Sequence, residues 1–116
     1  VRAINVATGY VSTLAGSGLP GSVDGAGTAA NFSYPYGVAV SPDSSTVYVA
    51  DSGSNKVRAI NVATGYVSTL AGSGLPGSVD GAGTAANFSY PYGVAVSPDS
   101  STVYVADSGS NKVRAI

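Results

Sequence analysis

The side chains that could carry acid–base or nucleophilic chemistry in this chain are few. Six aspartates are its only carboxylates, and it has neither His nor Cys. Without His, Cys or Glu there is no ordinary general base near neutral pH, and Ser or Tyr hydroxyls without a base are weak nucleophiles. A glycosidase would need two carboxylates about 5 to 10 Å apart, a spacing that the sequence does not establish. We therefore predict that the chain is not an enzyme and has no catalytic residues.

Two short patterns imitate ligand sites. Gly16–Gly21 has the G-x-G-x-x-G spacing of a dinucleotide site, but Pro20 prevents the helix whose N-terminus would hold a pyrophosphate. Asp51–Asn55 has oxygen ligands at alternating positions, yet it lacks the glycine spacing and the terminal Glu of a calcium loop. We expect Asp51 and Asn55 to cap backbone amides in their own turn instead. The sequence predicts no cofactor and no metal site.

The chain is an internal repeat. Residues 1–56 recur without a difference as residues 57–112, and residues 113–116 begin a third copy. Copies that keep separate tasks diverge, so perfect identity indicates a very recent duplication or a deliberately assembled gene, and we favour the assembled gene. Because every group has a twin, a single asymmetric active site has no place between the repeats.

The composition is that of a folded chain. Apolar residues make up 44% and charged residues 9%, with a formal net charge of −1, which is unlike a disordered sequence. No apolar run approaches the roughly 20 residues that span a bilayer, so we expect a soluble protein with no membrane partner. Nucleic acid is also excluded as an expected partner, since the few basic residues form no stripe. They are Arg2, Lys56, Arg58, Lys112 and Arg114.

Apolar side chains alternate with a period of two in each repeat. Gly37–Ser41 and Thr46–Ala50 alternate as half-buried strands do, and Pro42–Ser45 supplies turn residues between them. Lys56–Asn61 and Tyr66–Ala71 continue the pattern after a second turn. Each repeat therefore predicts one meander of four antiparallel strands, and the fold class is all-β.

A long Gly-rich connection, Gly16–Tyr36, separates one predicted meander from the next. Unstructured connections of more than about 12 to 15 residues are uncommon, so we expect it to fold over a neighbouring sheet, with one short helical turn at Thr28–Phe32. Four strands in a period of about 40 to 56 residues are typical of a β-propeller, in which each sheet, or blade, covers the next.

The residues that carry this prediction resemble a known repeat. Pro35–Asp43, Val47–Ser52, Asn55–Arg58 and Val67–Gly72 together resemble the NHL repeat, and the resemblance spans essentially the whole chain. WD40 and kelch repeats fit less well, because the chain has no Trp-Asp dipeptide and no Gly-Gly doublet. The resemblance implies a propeller of six or more blades whose loops bind protein or RNA. The exact repetition also resembles a symmetric designed propeller, which would imply a scaffold without a selected ligand.

Two repeats cannot close a ring by themselves. Each end of the chain would expose one apolar face of a sheet. The two exposed faces are complementary because they are opposite faces of identical units. Such contacts favour a closed ring of copies. We expect four chains and eight blades, with three chains and six blades as the second choice. No specific small-molecule partner is inferred.

The repeat boundary predicts strands shared between chains. Residues 1–56 begin in the third strand of a blade, so the start of one copy would complete the sheet that the end of another begins. Val1–Ile4 and Val113–Ile116 are the same segment, so one of them would be displaced. The predicted assembly residues are Val1, Ala3, Val6, Tyr10, Val11, Leu14, Tyr92, Val94, Val96, Val103, Tyr104 and Val105.

Two functions from different classes follow. The first is a designed scaffold with no natural catalytic function, which assembles by blade stacking and strand sharing. The alternative is a binding module, an NHL-like propeller segment that holds a peptide, RNA or an ion through the loops at Ser52–Asn55, Pro42–Ser45 and Gly16–Tyr36. The basic side chains Lys56 and Arg58 would then contact the ligand.

Overall fold

The computed structural model describes residues Val1–Ile116, and its regular structure is almost entirely extended. It contains no α-helix, only four short 3-10 turns at Gly27–Ala29, Ser52–Ser54, Gly83–Ala85 and Ser108–Ser110, so the all-β prediction is confirmed. The strands are β1 (Arg2–Ile4), β2 (Val11–Thr13), β3 (Gly25–Ala26), β4 (Pro35–Val40), β5 (Thr46–Asp51), β6 (Lys56–Asn61), β7 (Tyr66–Ala71), β8 (Pro91–Val96), β9 (Val103–Asp107) and β10 (Lys112–Ala115).

The strands form three antiparallel sheets. The first pairs β1 with β2, the second has the order β3-β7-β6-β5-β4, and the third has the order β10-β9-β8. The second sheet contains the predicted four-stranded meander, β4 to β7, and adds the short β3 at its outer edge. The first sheet thus holds the equivalents of the last two meander strands, and the third holds the equivalents of the first three.

The turn between β4 and β5 is held by one aspartate. Asp43 accepts hydrogen bonds from Ser41 Oγ at 2.7 Å and from the backbone N and Oγ of Ser45 at 3.0 and 2.7 Å. These bonds, the Ser41 bond first, lower the pKa of the Asp43 carboxyl to about 2. Ser44 takes a positive φ of 64°. The aspartate is therefore committed to its own turn, as the turn residues predict.

The connection before β4 lies over the second sheet and extends it. Its residues Gly25 and Ala26 form β3, which pairs with β7. The helical turn predicted at Thr28–Phe32 lies earlier, at Gly27–Ala29, because Gly27 adopts a positive φ of 54° and Ala30 is already extended. Ala30 and Phe32 are freed from the turn and enter the core.

Two hydrophobic cores lie between the three sheets. The core between the first and second sheets contains Phe32, Val49 and Ile60, against which Val1 and Leu14 pack. The core between the second and third sheets is its repeat and includes Phe88 and Val105. Burial of these side chains supplies the main attraction between sheets, which are not joined by backbone pairing.

Candidate binding surface

A buried arginine fixes the connection to the second sheet. Arg58 projects from β6 with no exposed surface, and its Nη1 lies 2.7 Å from Asp51 Oδ2. Its Nη2 lies 2.7 Å from Asp24 Oδ1 in the connection. The guanidinium also donates to the carbonyl oxygens of Asn31 at 2.9 Å and Val23 at 3.0 Å. One side chain thus joins two strands and the connection.

The partners of Arg58 are themselves held in place. Asp51 is fully buried and its Oδ1 accepts from the backbone N of Ser33 at 2.7 Å. Burial raises the pKa of the Asp51 carboxyl above its ordinary value, while the Ser33 and Arg58 hydrogen bonds oppose that rise. The Arg58 guanidinium lies 5.1 Å from the centre of the Phe32 ring. Every charge in this cluster is therefore used inside the fold.

This cluster removes Arg58 from the list of ligand-binding candidates, whereas Lys56 is half-buried beside the connection. Arg58 is inaccessible, and Lys56 Nζ lies 3.3 Å from Ser22 Oγ, on the connection. The prediction that Asp51 and Asn55 cap amides in their own turn is also wrong. Asp51 accepts from Ser33, and Asn55 Oδ1 accepts from the backbone N of Tyr90 at 3.0 Å, so both side chains hold connections instead.

Exposed tyrosines gather where β4 and β8 lie side by side. The rings of Tyr36 and Tyr92 stack with centroids 4.5 Å apart and an interplanar angle of 16°. Both remain more than half exposed, at 58% and 56%. Tyr34 and Tyr90 lie just before these strands, exposed and with positive φ values of 52° and 51°. We call these four residues the tyrosine surface.

Backbone contact brings the tyrosines together. At Gly37, next to Tyr36, a Cβ would lie 2.6 Å from the carbonyl oxygen of Tyr92 and 2.9 Å from the Cα of Gly93. Only a residue without a side chain permits this approach of β4 to β8. Asn55 fixes the other side of the surface through its hydrogen bond to Tyr90. The tyrosine surface is therefore attached to rigid elements of two sheets.

The loops predicted to bind a ligand do not all lie at the same end of the sheet. In an antiparallel meander successive turns alternate between the two ends of the sheet. The turn Ser52–Asn55 and the start of β4 therefore share one end with the tyrosine surface, whereas Pro42–Ser45 lies at the other end. A cleft of 620 Å³ adjoins the first end, lined in part by Arg2, Thr13, Leu19 and Tyr34.

The predicted assembly residues lie in two kinds of environment. Val1, Leu14, Val94 and Val96 are half-buried beside the two cores, and Val103 and Val105 are buried in the second core. The remaining six residues are exposed: Ala3, Val6, Tyr10, Val11, Tyr92 and Tyr104. Val103 and Val105 thus serve the contact between the second and third sheets within the chain.

We also searched the structure for metal-ligand clusters and for membrane-spanning helices. No three His, Cys, Asp or Glu side chains lie close enough together to hold a metal ion. None of the helical segments has the length and hydropathy needed to cross a bilayer.

Comparison with known proteins identifies the type of fold. No family model matches the chain. The chain is 31% identical over 124 residues to NHL repeat-containing protein 2 of Gallus gallus, aligning over 100% of its own length and 17% of that protein. It is also 31% identical over 120 residues to Protein SUPPRESSOR OF QUENCHING 1, chloroplastic, of Arabidopsis thaliana, covering 11% of it. The chain therefore spans less than a fifth of these relatives.

Solved structures agree with these relatives. A protein of unknown function from Bacteroides thetaiotaomicron superposes with a TM-score of 0.85 at 25% identity, over 98% of this chain and 28% of that one. An auxiliary nutrient binding protein from Bacteroides ovatus superposes with a TM-score of 0.79 at 28% identity, over 98% and 31%. The chain has a propeller-like, NHL-type fold, and the NHL resemblance is confirmed.

The interpretation of the chain as a designed scaffold is wrong. Natural NHL repeat-containing proteins from Gallus gallus, Bos taurus and Homo sapiens match it at 31%, 29% and 30% identity, and so does the plant protein. These matches indicate a natural NHL-repeat protein. The exact internal repetition, which suggested an assembled gene, records only that the two copies have not diverged.

Proposed function

We propose that the chain is a non-enzymatic binding module that holds an extended, proline-containing peptide on its tyrosine surface. The observation that carries this proposal is the stacked pair Tyr36 and Tyr92. Each ring covers part of the other, yet both residues remain more than half exposed to solvent. Tyrosine offers a rigid aromatic face and a hydroxyl at low entropic cost, and aromatic-lined surfaces are the usual docking sites of extended proline-rich peptides.

Charge distribution supports a peptide over RNA or an ion. Arg58 and Arg114 are buried in ion pairs, and Lys56 and Lys112 lie beside Ser22 and Ser78 on the connections. The cations left to neutralise a phosphate backbone are Arg2 and the two lysines, which are too few for a basic stripe. The carboxylates are similarly engaged, since Asp51 and Asp107 face the two arginines and Asp43 and Asp99 hold turns. That engagement also supports a non-catalytic role. The nutrient binding description of one solved neighbour favours binding as the class of function.

The peptide proposal is tested with a ten-residue oligoproline and, as a matched probe, a glycine–serine peptide of equal length. We expect saturable shifts of the amide resonances of Tyr36 and Tyr92 with oligoproline only. The double variant Tyr36→Ala/Tyr92→Ala should weaken binding by at least about tenfold, because an aromatic contact contributes on the order of 1 kcal/mol or more beyond its area. Tyr66→Ala, an exposed tyrosine at the other end of the sheet, is the control.

Equal binding of both peptides, or equal loss in Tyr66→Ala, would place the contact elsewhere. Saturation with an oligonucleotide in place of the peptide would favour the RNA alternative.

We also propose that the partner completing the ring is a second copy of the chain. The outer face of the third sheet and the edge strand β4 of the second sheet are exposed. The same residues of the repeat are covered where the second and third sheets pack against each other. Val38 is 58% exposed although its twin Val94 is packed against a core, and Val113 is 77% exposed although its twin Val57 is fully buried. Because the residues are identical, the surface that buries Val94 also fits Val38.

Native mass spectrometry over a dilution series tests the copy number. Four chains of 11.3 kDa, which we favour, should give a species of about 45 kDa, and three should give about 34 kDa. A folded monomer at every concentration would contradict the association of copies without affecting the peptide proposal.

A further inference from the structure

We infer that the peptide held by the tyrosine surface is acidic, and that one of its carboxylates pairs with Lys56 or, in the other repeat, with Lys112. The inference rests on the peptide binding proposed above and assigns the peptide a charge and a spacing. The two lysines carry it, because they lie at the tyrosine end of their sheets and have no acidic partner within the chain.

Lys56 lies in the same row of the second sheet as the tyrosine surface. It begins β6, directly after the turn Ser52–Asn55, and it faces Asp51 of β5. Asp51 in turn faces Pro35 of β4, which lies between two residues of the tyrosine surface. Two strand spacings, roughly 10 Å, separate Lys56 from Pro35. One short peptide therefore reaches both the tyrosines and the lysine.

The Lys56 side chain is held between two connections. Its Nζ donates to Ser22 Oγ at 3.3 Å, in the connection before β4. On its other side lies Gly74, where a Cβ would be 3.3 Å from Lys56 Cε. Asn55 joins this second connection to the tyrosine surface, since it donates to the Gly74 carbonyl oxygen at 3.4 Å and accepts from the backbone N of Tyr90. The ammonium group is thus fixed beside the tyrosines by contacts from the middle of the chain.

Neither lysine has a side-chain carboxylate as a partner. The four ion pairs of the chain join Arg58 and Arg114 to aspartates. Asp43 and Asp99 lie outside these pairs and hold turns at the opposite end of their sheets, where hydrogen bonds, the serine Oγ bonds first, lower the pKa of each carboxyl to about 2. The tyrosine end therefore carries unpaired positive charge, and the opposite end carries negative charge. This distribution is complementary to an acidic ligand at the tyrosine end.

The arrangement recurs in the third sheet. Lys112 faces Asp107, and Asp107 faces Pro91 at the start of β8. Lys112 Nζ lies 3.4 Å from Ser78 Oγ, which repeats the bond that Lys56 makes to its own connection. Because the same contact forms in both copies, the lysine beside the tyrosines is a property of the repeat.

The strand spacing also predicts where the acidic residue lies in the peptide. An extended proline-rich peptide forms a polyproline II helix, which has three residues per turn. With a rise of about 3.1 Å per residue, side chains three positions apart lie on one face and about 9 Å from each other. This distance is close to the separation of Lys56 and Pro35. A carboxylate three residues from the proline on the tyrosines is therefore within reach of the lysine.

Three ten-residue oligoprolines that differ only at position seven, which is Glu, Gln or Lys, test the charge of the peptide. We expect the Glu peptide to bind about threefold more tightly than the Gln peptide at low ionic strength, since it gains one exposed ion pair. The Lys peptide should bind more weakly than either. In about 0.5 M sodium chloride the preference for Glu should disappear, because exposed charges are then screened. Affinities are measured from the amide shifts of Tyr36 and Tyr92.

The variant Lys56→Gln/Lys112→Gln should remove the difference between the Glu and Gln peptides and leave the affinity for the Gln peptide unchanged. The matched control is Thr8→Asp/Thr64→Asp, which lowers the net charge by the same amount at the opposite end of the sheets. An Asp carboxylate can accept the backbone hydrogen bond that each of these threonines accepts. We expect this control to keep the preference for Glu.

Equal binding of the Glu and Gln peptides, with the tyrosine amides shifted by both, would overturn the acidic preference while the peptide proposal stands. Equal loss of the preference in the lysine and threonine variants would overturn the assignment to the lysines. No shift with any of the peptides would overturn both proposals. Tighter binding of a ten-nucleotide polyuridylate than of the Glu peptide would assign the lysines to phosphate and overturn the acidic peptide.

Discussion

Arg58→Ala should destabilise the single chain by about 3 to 5 kcal/mol, a large share of the 5 to 15 kcal/mol that holds a domain folded. The substitution leaves Asp51 buried and ionised without the guanidinium that lies 2.7 Å away. It also removes the hydrogen bonds that join β6 to the carbonyl groups of Val23 and Asn31. We expect a lower urea midpoint by circular dichroism, recorded at a dilution where the native mass is that of a monomer.

The repeat provides matched controls for this prediction. Arg2→Ala removes the same side chain where it has no partner, so its effect should stay within about 0.5 kcal/mol. Arg114→Ala should fall between the two, because Asp107 is buried but Asp80 is exposed. The double variant Arg58→Met/Asp51→Asn should recover much of the loss, since the charge is removed and an oxygen acceptor for Ser33 remains. Equal effects at all three arginines would show that the cluster contributes little.

The sheet architecture could be predicted from local pattern. Alternation at Gly37–Ser41 and Thr46–Ala50 predicts strands that the structure places at Pro35–Val40 and Thr46–Asp51. Period-two alternation is informative because successive side chains of a strand point to opposite faces of its sheet. Turn chemistry at Asp43 likewise acts over two residues, so it is visible in the sequence.

The arginine cluster could not be predicted in the same way. Arg58 and Asp24 are 34 residues apart, and they meet only because the connection returns over its own sheet. The available signal was the joint recurrence of Asp24, Asp51 and Arg58 in each repeat, which does not say which of them touch. The burial of a side chain depends even less on its local sequence. Val57 and Val113 have the same sequence neighbours, but they are 0% and 77% exposed. Their difference depends on whether a further sheet covers them.

Gly37→Ala should separate β4 from β8 and destabilise the chain by roughly 1 to 3 kcal/mol, the usual cost of overpacking. The new Cβ would lie 2.6 Å from the Tyr92 carbonyl oxygen and 2.9 Å from the Gly93 Cα, both backbone atoms that cannot move alone. The stacking of Tyr36 on Tyr92 depends on this approach, so the two rings should separate. Urea unfolding and nuclear Overhauser contacts between the two rings measure both effects.

Gly93→Ala is the internal control, because a Cβ there has only the Ala106 Cβ within reach, at 4.0 Å. In the monomeric chain it should be tolerated within about 0.5 kcal/mol and leave the ring contacts intact. If peptide binding needs the paired tyrosines, it should be lost in Gly37→Ala and kept in Gly93→Ala, although neither variant removes a tyrosine. Undiminished ring contacts in Gly37→Ala would mean that the tyrosine surface is held by Asn55 and the connections instead of by the backbone of β4 and β8.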